Sequence, residues 1–302
     1  QENCITGGAG VTLVAGRQNI VNGDYNSLVG GRQNCITSSS YSFLGGGRLN
    51  TVSSEYAFSG AGVRNCVFGL HSFIGAGVCN CVINAQSAIV GGQCNTNCGD
   101  KAFIGGGNQN CITPSGKCGV IVGGACNLIS CGCGFIGGGQ SNCVTSGCST
   151  IVAGYCNCNV GGGYSFTGAG CANSNCGTLT TIAGGGCNTI FGNGSVIAGG
   201  ISNTSCANCN FIGGGRLNQA ICNYSNVISG QCNTSCSAYS SVIGGLCNFT
   251  SDNTGYSALV GGFRNCICGN PTQVAFLFGQ CNIAAAQWAT VLNGFKSCAT
   301  GC

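Results

Sequence analysis

Charge is scarce in this sequence: 302 residues carry nine Lys or Arg and five Asp or Glu. The acids Glu2, Asp24, Glu55, Asp100 and Asp252 are too dispersed to form the carboxylate pair that glycoside chemistry uses. A net charge of +4, thinly spread, gives no argument for nucleic acid as a partner. The single His, His71, reads as an ordinary surface residue. The Gly-rich runs contain no Gly-Lys-Ser/Thr and no following helix, so they are not phosphate loops. Calcium-binding β-rolls need a recurrent Asp, and none recurs. Thr51, Thr96, Thr189, Thr204 and Thr234 share one repeat position but leave gaps, so no ice-binding Thr row exists. No apolar stretch of about 18 residues escapes Gly and polar breaks, which argues against a membrane span. No catalytic, cofactor-binding or metal residue is therefore assigned, no cofactor is implied, and an enzyme is not expected. Met is absent and the chain opens at Gln1, so it reads as a processed chain or a fragment, with signal-peptide removal a natural explanation.

A period of 15 to 17 residues runs from end to end instead. Its fixed mark is an Asn: Asn19, Asn34, Asn50, Asn65, Asn80, Asn95, Asn110, Asn127, Asn142, Asn157, Asn173, Asn188, Asn203, Asn218, Asn233, Asn248, Asn265 and Asn282. Ser297 stands in that place in the last copy, and a Gly lies three residues before every one, from Gly16 to Gly294. A short period over a whole chain means a solenoid, whose stability comes from stacking neighbours. The residue six before the Asn is aliphatic or Phe throughout except Ser59 and Thr167. The residue two after it is aliphatic early (Val21, Ile36, Val52, Val67, Val82) and polar later (Asn159, Asn175, Ser205, Ser235). The residue eight before it is often Ser, Thr or Asn, as at Ser42, Ser72 and Ser87.

Strand alternation puts these positions on inward faces, and the Gly pair between them supplies a tight corner. Each rung thus reads as strand, Gly turn, strand, polar turn, stacked in parallel. The fold class is all-β, a parallel β-solenoid (β-roll or β-helix) of about 19 rungs, on the order of 90 Å long at ~4.8 Å per rung. An inward Asn at a corner can bond its own backbone and the amides above and below, so the Asn residues are expected to be structural. Asn193, Asn203, Asn223, Asn233 and Asn248 also fit Asn-x-Ser/Thr, and three of them are ladder positions. Residues 1–272 form the repeat rod. From 273 the texture changes, and Phe276, Phe278, Trp288 and Phe295 suggest that 273–302 is a C-terminal cap or an end-to-end docking surface.

Most of the 30 Cys flank the ladder Asn, one residue before or after it, and others lie three to eight residues after it. Same-position residues on adjacent rungs sit ~4.8 Å apart, inside the disulfide Cα range, which makes Cys66/Cys81, Cys79/Cys94 and Cys232/Cys247 candidate pairs. Reinforcing disulfides in an oxidising compartment are the leading reading, intrachain or interchain. Free thiols acting as small apolar residues, or a metal cluster, are the alternatives. Arg17, Arg32 and Arg48 fall two before the Asn on three successive rungs. They form either a solvated stripe partly answered by Asp24 and Glu55, or a contact for an acidic glycan or an adjacent subunit.

The units SFLGGGRLNTV (Ser42 to Val52) and AFIGGGNQNCI (Ala102 to Ile112) resemble the Gly/Asn-rich β-roll repeats of trimeric autotransporter adhesin heads, with similar repeats in phage and large-virus fibre proteins. The resemblance covers nearly the whole chain and implies an extracellular adhesive or fibrous protein at a cell or virion surface. Those heads are trimers that generally lack Cys, so this Cys content makes a single-chain rod or polymer equally consistent. The expected function is a structural subunit of an extracellular filament, homopolymeric end to end and reinforced by disulfides. The alternative is a homotrimeric adhesin or fibre-shaft module that contacts glycans or a host surface.

Overall fold

The structure, a computed structural model, describes residues 2–6, 8–37, 39–251, 255–268, 278–286, 290–291 and 293–300. It is a parallel β-solenoid of about 19 turns with no helix among the described residues. The chain forms two compact units, residues 1–154 and 155–302. Strands of two residues recur twice per turn. One set follows the ladder Asn, as in Cys66–Val67 and Cys81–Val82. The other precedes the Gly corner, as in Phe58–Ser59 and Phe73–Ile74. Both stack in parallel register, Val82 facing Val67 and Ile74 facing Ser59.

A third extended segment was not expected. The residue two before each Asn pairs singly with its counterpart on the next turn, as in Arg17↔Arg32, Arg32↔Arg48 and Val63↔Val78. The cause is local. The residue just before the Asn adopts a left-handed conformation although it is not Gly, for example Gln33 (φ 56), Cys79 (φ 57) and Arg64 (φ 57). Side chains other than Gly rarely take this conformation. Here it turns the corner and re-aims a donor. The Arg17 N–H bonds forward to the Gly31 carbonyl (2.9 Å), while the Gln33 N–H bonds back to the Arg17 carbonyl (2.9 Å). A second left-handed corner follows six or seven residues after the Asn, at Tyr25, Tyr41, Tyr56, His71 and Gln86.

The Gly three before each Asn is forced by the stacking. At Gly92 (φ +91) an added Cβ would lie 2.2 Å from the carbonyl oxygen of Gly107 on the next turn. Only a residue without Cβ lets the backbones approach this closely.

The Asn ladder is denser than amide stacking. The Asn80 N–H donates to Asn65 Oδ1 (3.0 Å), and Asn80 Oδ1 accepts the Asn95 N–H (3.1 Å). Asn80 Nδ2 donates to the Ala76 carbonyl of its own turn (3.2 Å) and to the Gly92 carbonyl of the next (2.9 Å). Direct amide-to-amide bonds join only some turns, such as Asn95 Nδ2 to Asn80 Oδ1 at 3.1 Å. Each of these carboxamides is buried with both donors and its acceptor used. The ladder starts one turn earlier than the sequence suggested, at Asn3, whose Oδ1 accepts the Asn19 N–H (3.1 Å). It ends at Ser297, whose N–H donates to Asn282 Oδ1 (2.9 Å).

Hydroxyls repeat the device at the opposite corner. Ser87 Oγ donates to the Gly99 carbonyl (2.5 Å) and accepts the Ala102 N–H (3.2 Å). Inside the first unit the aliphatic columns run from Val21 to Ile151, interrupted by Ser59 in one and Asn97 in the other. The second unit has two smaller apolar clusters. Its interior elsewhere pairs polar groups, as Thr167 Oγ1 with Asn159 Oδ1 (2.7 Å) and Ser235 with Ser240 (2.7 Å). The strands Ile283–Ala284 and Cys298–Ala299 carry the same repeat into 273–302.

Two substitutions test these interior roles by urea unfolding. Asn80→Leu leaves the buried Asn95 N–H and the Ala76 carbonyl without these partners and strips the Gly92 carbonyl of one of its two donors, and is expected to destabilise by about 3–5 kcal/mol. Ser59 is fully buried, its hydroxyl has no partner, and it faces Leu44 and Ile74 in a column of larger side chains. Ser59→Val is therefore expected to stabilise by about 1–2 kcal/mol.

Candidate functional site

With the interior filled, function falls to the outward columns of each turn. Charge is absent from the outer faces of both strand sets. It gathers at the edge just before the Asn (Arg17, Arg32, Arg48, Arg64) and at the corner five to seven residues after it (Asp24, Glu55, Asp100, Lys101, Lys117).

The outer face of the strands preceding the Gly corner is apolar and follows a paired rule. Wherever its first outward residue is Phe, the next outward residue is Gly: Phe43/Gly45, Phe58/Gly60, Phe73/Gly75, Phe103/Gly105, Phe135/Gly137, Phe166/Gly168 and Phe211/Gly213. Where it is smaller, a Cβ-bearing residue follows, as in Ala88/Val90, Val120/Val122, Thr150/Val152 and Ser241/Ile243. The geometry explains the pairing. Phe Cε1 lies 3.3–3.5 Å from where a Cβ on the paired Gly would sit, so the ring covers a bare Cα. Phe plus Gly and small plus Val thus fill similar surface, and the face stays level. Phe43, Phe58 and Phe73 stack with centroids 4.9 and 5.1 Å apart. These rings remain partly exposed, 36% for Phe58 and 37% for Phe73 and Phe103.

The left-handed corner after the Asn carries a second aromatic column. Tyr25, Tyr41, Tyr56 and His71 stack in sequence at 5.0, 5.2 and 4.8 Å. Tyr224, Tyr239 and Tyr256 do the same in the second unit, at 4.9 and 5.2 Å. The Tyr period is readable in the sequence, but it lies off the positions that mark the core. His71 is thus a stacked member of a column rather than an isolated surface residue.

The cysteines make a third surface, on the outer face of the strands following the Asn. Cys66 and Cys81 are register partners, as expected. Cys79 and Cys94 occupy successive left-handed corners, and Cys232 hydrogen-bonds Cys247. All six are free thiols in this structure. Cys98, three residues after its Asn, completes the patch between Cys81 and Cys111. Burial pushes the Cys81 thiol up to about 11, with Cys66 and Cys98 adding to the shift. Burial likewise pushes Cys131 to about 11 and Cys266 to about 12, the latter helped by its hydrogen bond with Cys268. Among the described residues, no group of three or more His, Cys, Asp or Glu is placed to hold a metal ion.

Arg17, Arg32 and Arg48 are exposed on three paired turns; on the next turn Val63 takes that column and the exposed Arg64 sits one residue later, at the left-handed position of Gln18 and Gln33. Asp24 and Glu55, which seemed able to answer them, lie at the Tyr corner instead; Asp24 Oδ1 accepts the Ala9 N–H there (3.0 Å). Of the sequon residues, Asn203, Asn233 and Asn248 are buried ladder members, whereas Asn193 and Asn223 are exposed. Of the C-terminal aromatics, Phe278 is 42% and Phe295 64% exposed, and Lys296 Nζ lies 5.2 Å from the Phe295 ring centroid. Phe276 and Trp288 lie outside the described residues. No helix among the described residues is long and apolar enough to cross a membrane. The sequence matches no protein-family model and no curated protein.

The raised thiols give a pH prediction. A thiol whose folded pKa exceeds its ordinary 9.0 favours folding below that pH and loses the contribution as pH climbs through the folded value. Stability of the reduced protein is expected to be flat up to about pH 9 and to fall between about 9 and 12. Thermal melts across that range check it, and alkylation of Cys81, Cys131 and Cys266 at pH 8 should lag behind the exposed Cys133 and Cys148.

Proposed function

We propose that this chain is a structural, non-catalytic module of an extracellular filament or fibre, and that its copies associate with one another. The observation that carries this is the level, charge-free face built by the Phe/Gly rule. In the first unit it spans the ten strands from Thr12–Leu13 to Thr150–Ile151. At ~4.8 Å per turn and two outward residues per strand, the face covers on the order of 500 Å². That is at the upper end of what monomers leave exposed. Two such faces together would bury about 1,000 Å², the lower bound of a specific interface. Identical period on both partners lets Phe rings of one copy meet the shallow Gly positions of another along the whole length.

In an oxidising compartment the register pair Cys66/Cys81 would close as a disulfide between turns, as would Cys79/Cys94 and Cys232/Cys247. A surface location at a cell or virion fits this composition. The second reading, an adhesin or fibre-shaft module touching glycans, is favoured by the arginine stripe.

Sedimentation velocity under reducing conditions tests the leading reading. The intact chain is expected to shift to larger species with concentration, and Phe58→Glu/Phe73→Glu to remain monomeric with an unchanged far-UV spectrum. An intact chain that stays monomeric at the highest attainable concentration removes the proposal.

A further inference from the structure

The arginine stripe concentrates charge of one sign in this charge-poor chain. Four of its nine cations, Arg17, Arg32, Arg48 and Arg64, lie on four consecutive turns at one edge. Arg17, Arg32 and Arg48 are bridged turn to turn by their backbones, so their spacing is fixed at one turn, ~4.8 Å. All four are exposed. Glu2 stands at the N-terminal end of the stripe, one turn before Gln18, and the other described acids lie at the opposite corner. Backbone bonding, not the guanidinium, holds these positions: each Arg N–H is tied to a neighbouring turn, as Arg32 to Gly47 and Arg48 to Gly62 (both 2.9 Å). Fold therefore does not call for Arg here, and the same column holds Val63, Val78, Gln93 and Asn108 further along. Like charges stacked this closely oppose one another unless an anion answers them.

We propose that this edge binds a linear acidic polysaccharide laid parallel to the stacking axis. A chain of uronic or sulfated sugars presents an acidic group at roughly every ring, a repeat commensurate with one turn of ~4.8 Å. A guanidinium grips carboxylate or sulfate through two parallel N–H bonds, which suits planar, spaced anions better than a point charge would. The flanking corner supplies the other half of sugar chemistry. Gln18 and Gln33, held outward by their left-handed backbone, follow Arg17 and Arg32 directly and offer amide donors and acceptors to ring hydroxyls. Single-stranded nucleic acid fits less well, because its binding grooves stack bases on aromatic side chains. The stripe has none: the stacked Tyr column lies at the other corner. This inference uses a different surface from the self-association face, so either can fail without the other.

The test is calorimetric titration of the intact chain with heparin and with polygalacturonate at low and moderate salt, alongside a single-stranded oligonucleotide of equal charge. Saturable binding of the polysaccharides is expected, weakening with salt at a slope of about three to four counterions. R17Q/R32Q/R48Q/R64Q should bind roughly thirtyfold more weakly at low salt. R216Q/R264Q, in the second unit, should bind as the parent does. R17K/R32K/R48K/R64K keeps charge but loses the fork, and should fall between the two. Unchanged far-UV spectra and melting temperatures certify each variant as folded. Absence of saturable polysaccharide binding overturns the proposal, as does equal binding by the four-Gln variant. Equal or tighter binding of the oligonucleotide overturns the choice of polysaccharide and makes the edge a nucleic-acid or general polyanion surface.

Discussion

A backbone N–H donating to the carboxamide oxygen of the preceding turn is the bond on which this structure depends. It recurs with similar lengths within each unit, from Asn19 to Asn142 in the first and from Asn173 to Ser297 in the second. The bond ties together three facts. It fixes the register of each turn against the last. It places an Nδ2 between two carbonyls, one of its own turn and one of the next, the latter shared with a backbone N–H. It also requires the chain to arrive at the Asn through a left-handed residue. Asp has no donors to give there, and Gln would carry the amide one carbon too far. The arrangement holds Arg, Cys, Leu and Gln in a conformation that each resists by about 1–2 kcal/mol. It persists because such corners, as at Gln33, Arg64 and Cys79, also form a backbone bond to the neighbouring turn.

This constraint explains where sequence reading works and where it stops. The period, the Asn and Gly columns and the two inward apolar columns are written in residue identity, so the parallel solenoid and its core were legible. The third extended segment was not. Arg17, Val63 and Gln93 share no strand preference, and Gln33 or Cys79 gives no hint of positive φ. Stacking imposes both, residue type does not. The ladder's first member, Asn3, was missed because the Gly marker that accompanies every other copy falls before the chain's first residue. The Phe/Gly compensation was present in the sequence but only as a correlation between two outward positions, which a search for inward periodicity passes over. The register of Cys66 with Cys81 followed from equal spacing alone, whereas the role of Cys98 depended on a diagonal neighbour that spacing does not reveal.

The same logic separates structure from function. Inward positions are saturated by bonds and packing, with few exceptions such as Ser59. Outward positions are free to vary, yet they do not vary at random: a level apolar face, a stacked Tyr corner, a thiol surface and a cationic edge each keep to their own column. Distinct surfaces on one repeated frame suit a protein whose work is contact with copies of itself and with extended partners.

Electron microscopy of the intact, reduced protein over a wide concentration range tests the central claim most directly. The account predicts particles that pair side by side along their length, with a turn repeat near 4.8 Å and contacts on the Phe/Gly face. Isolated, unpaired particles at every concentration, or pairs joined through the thiol or Tyr surfaces instead, would contradict it.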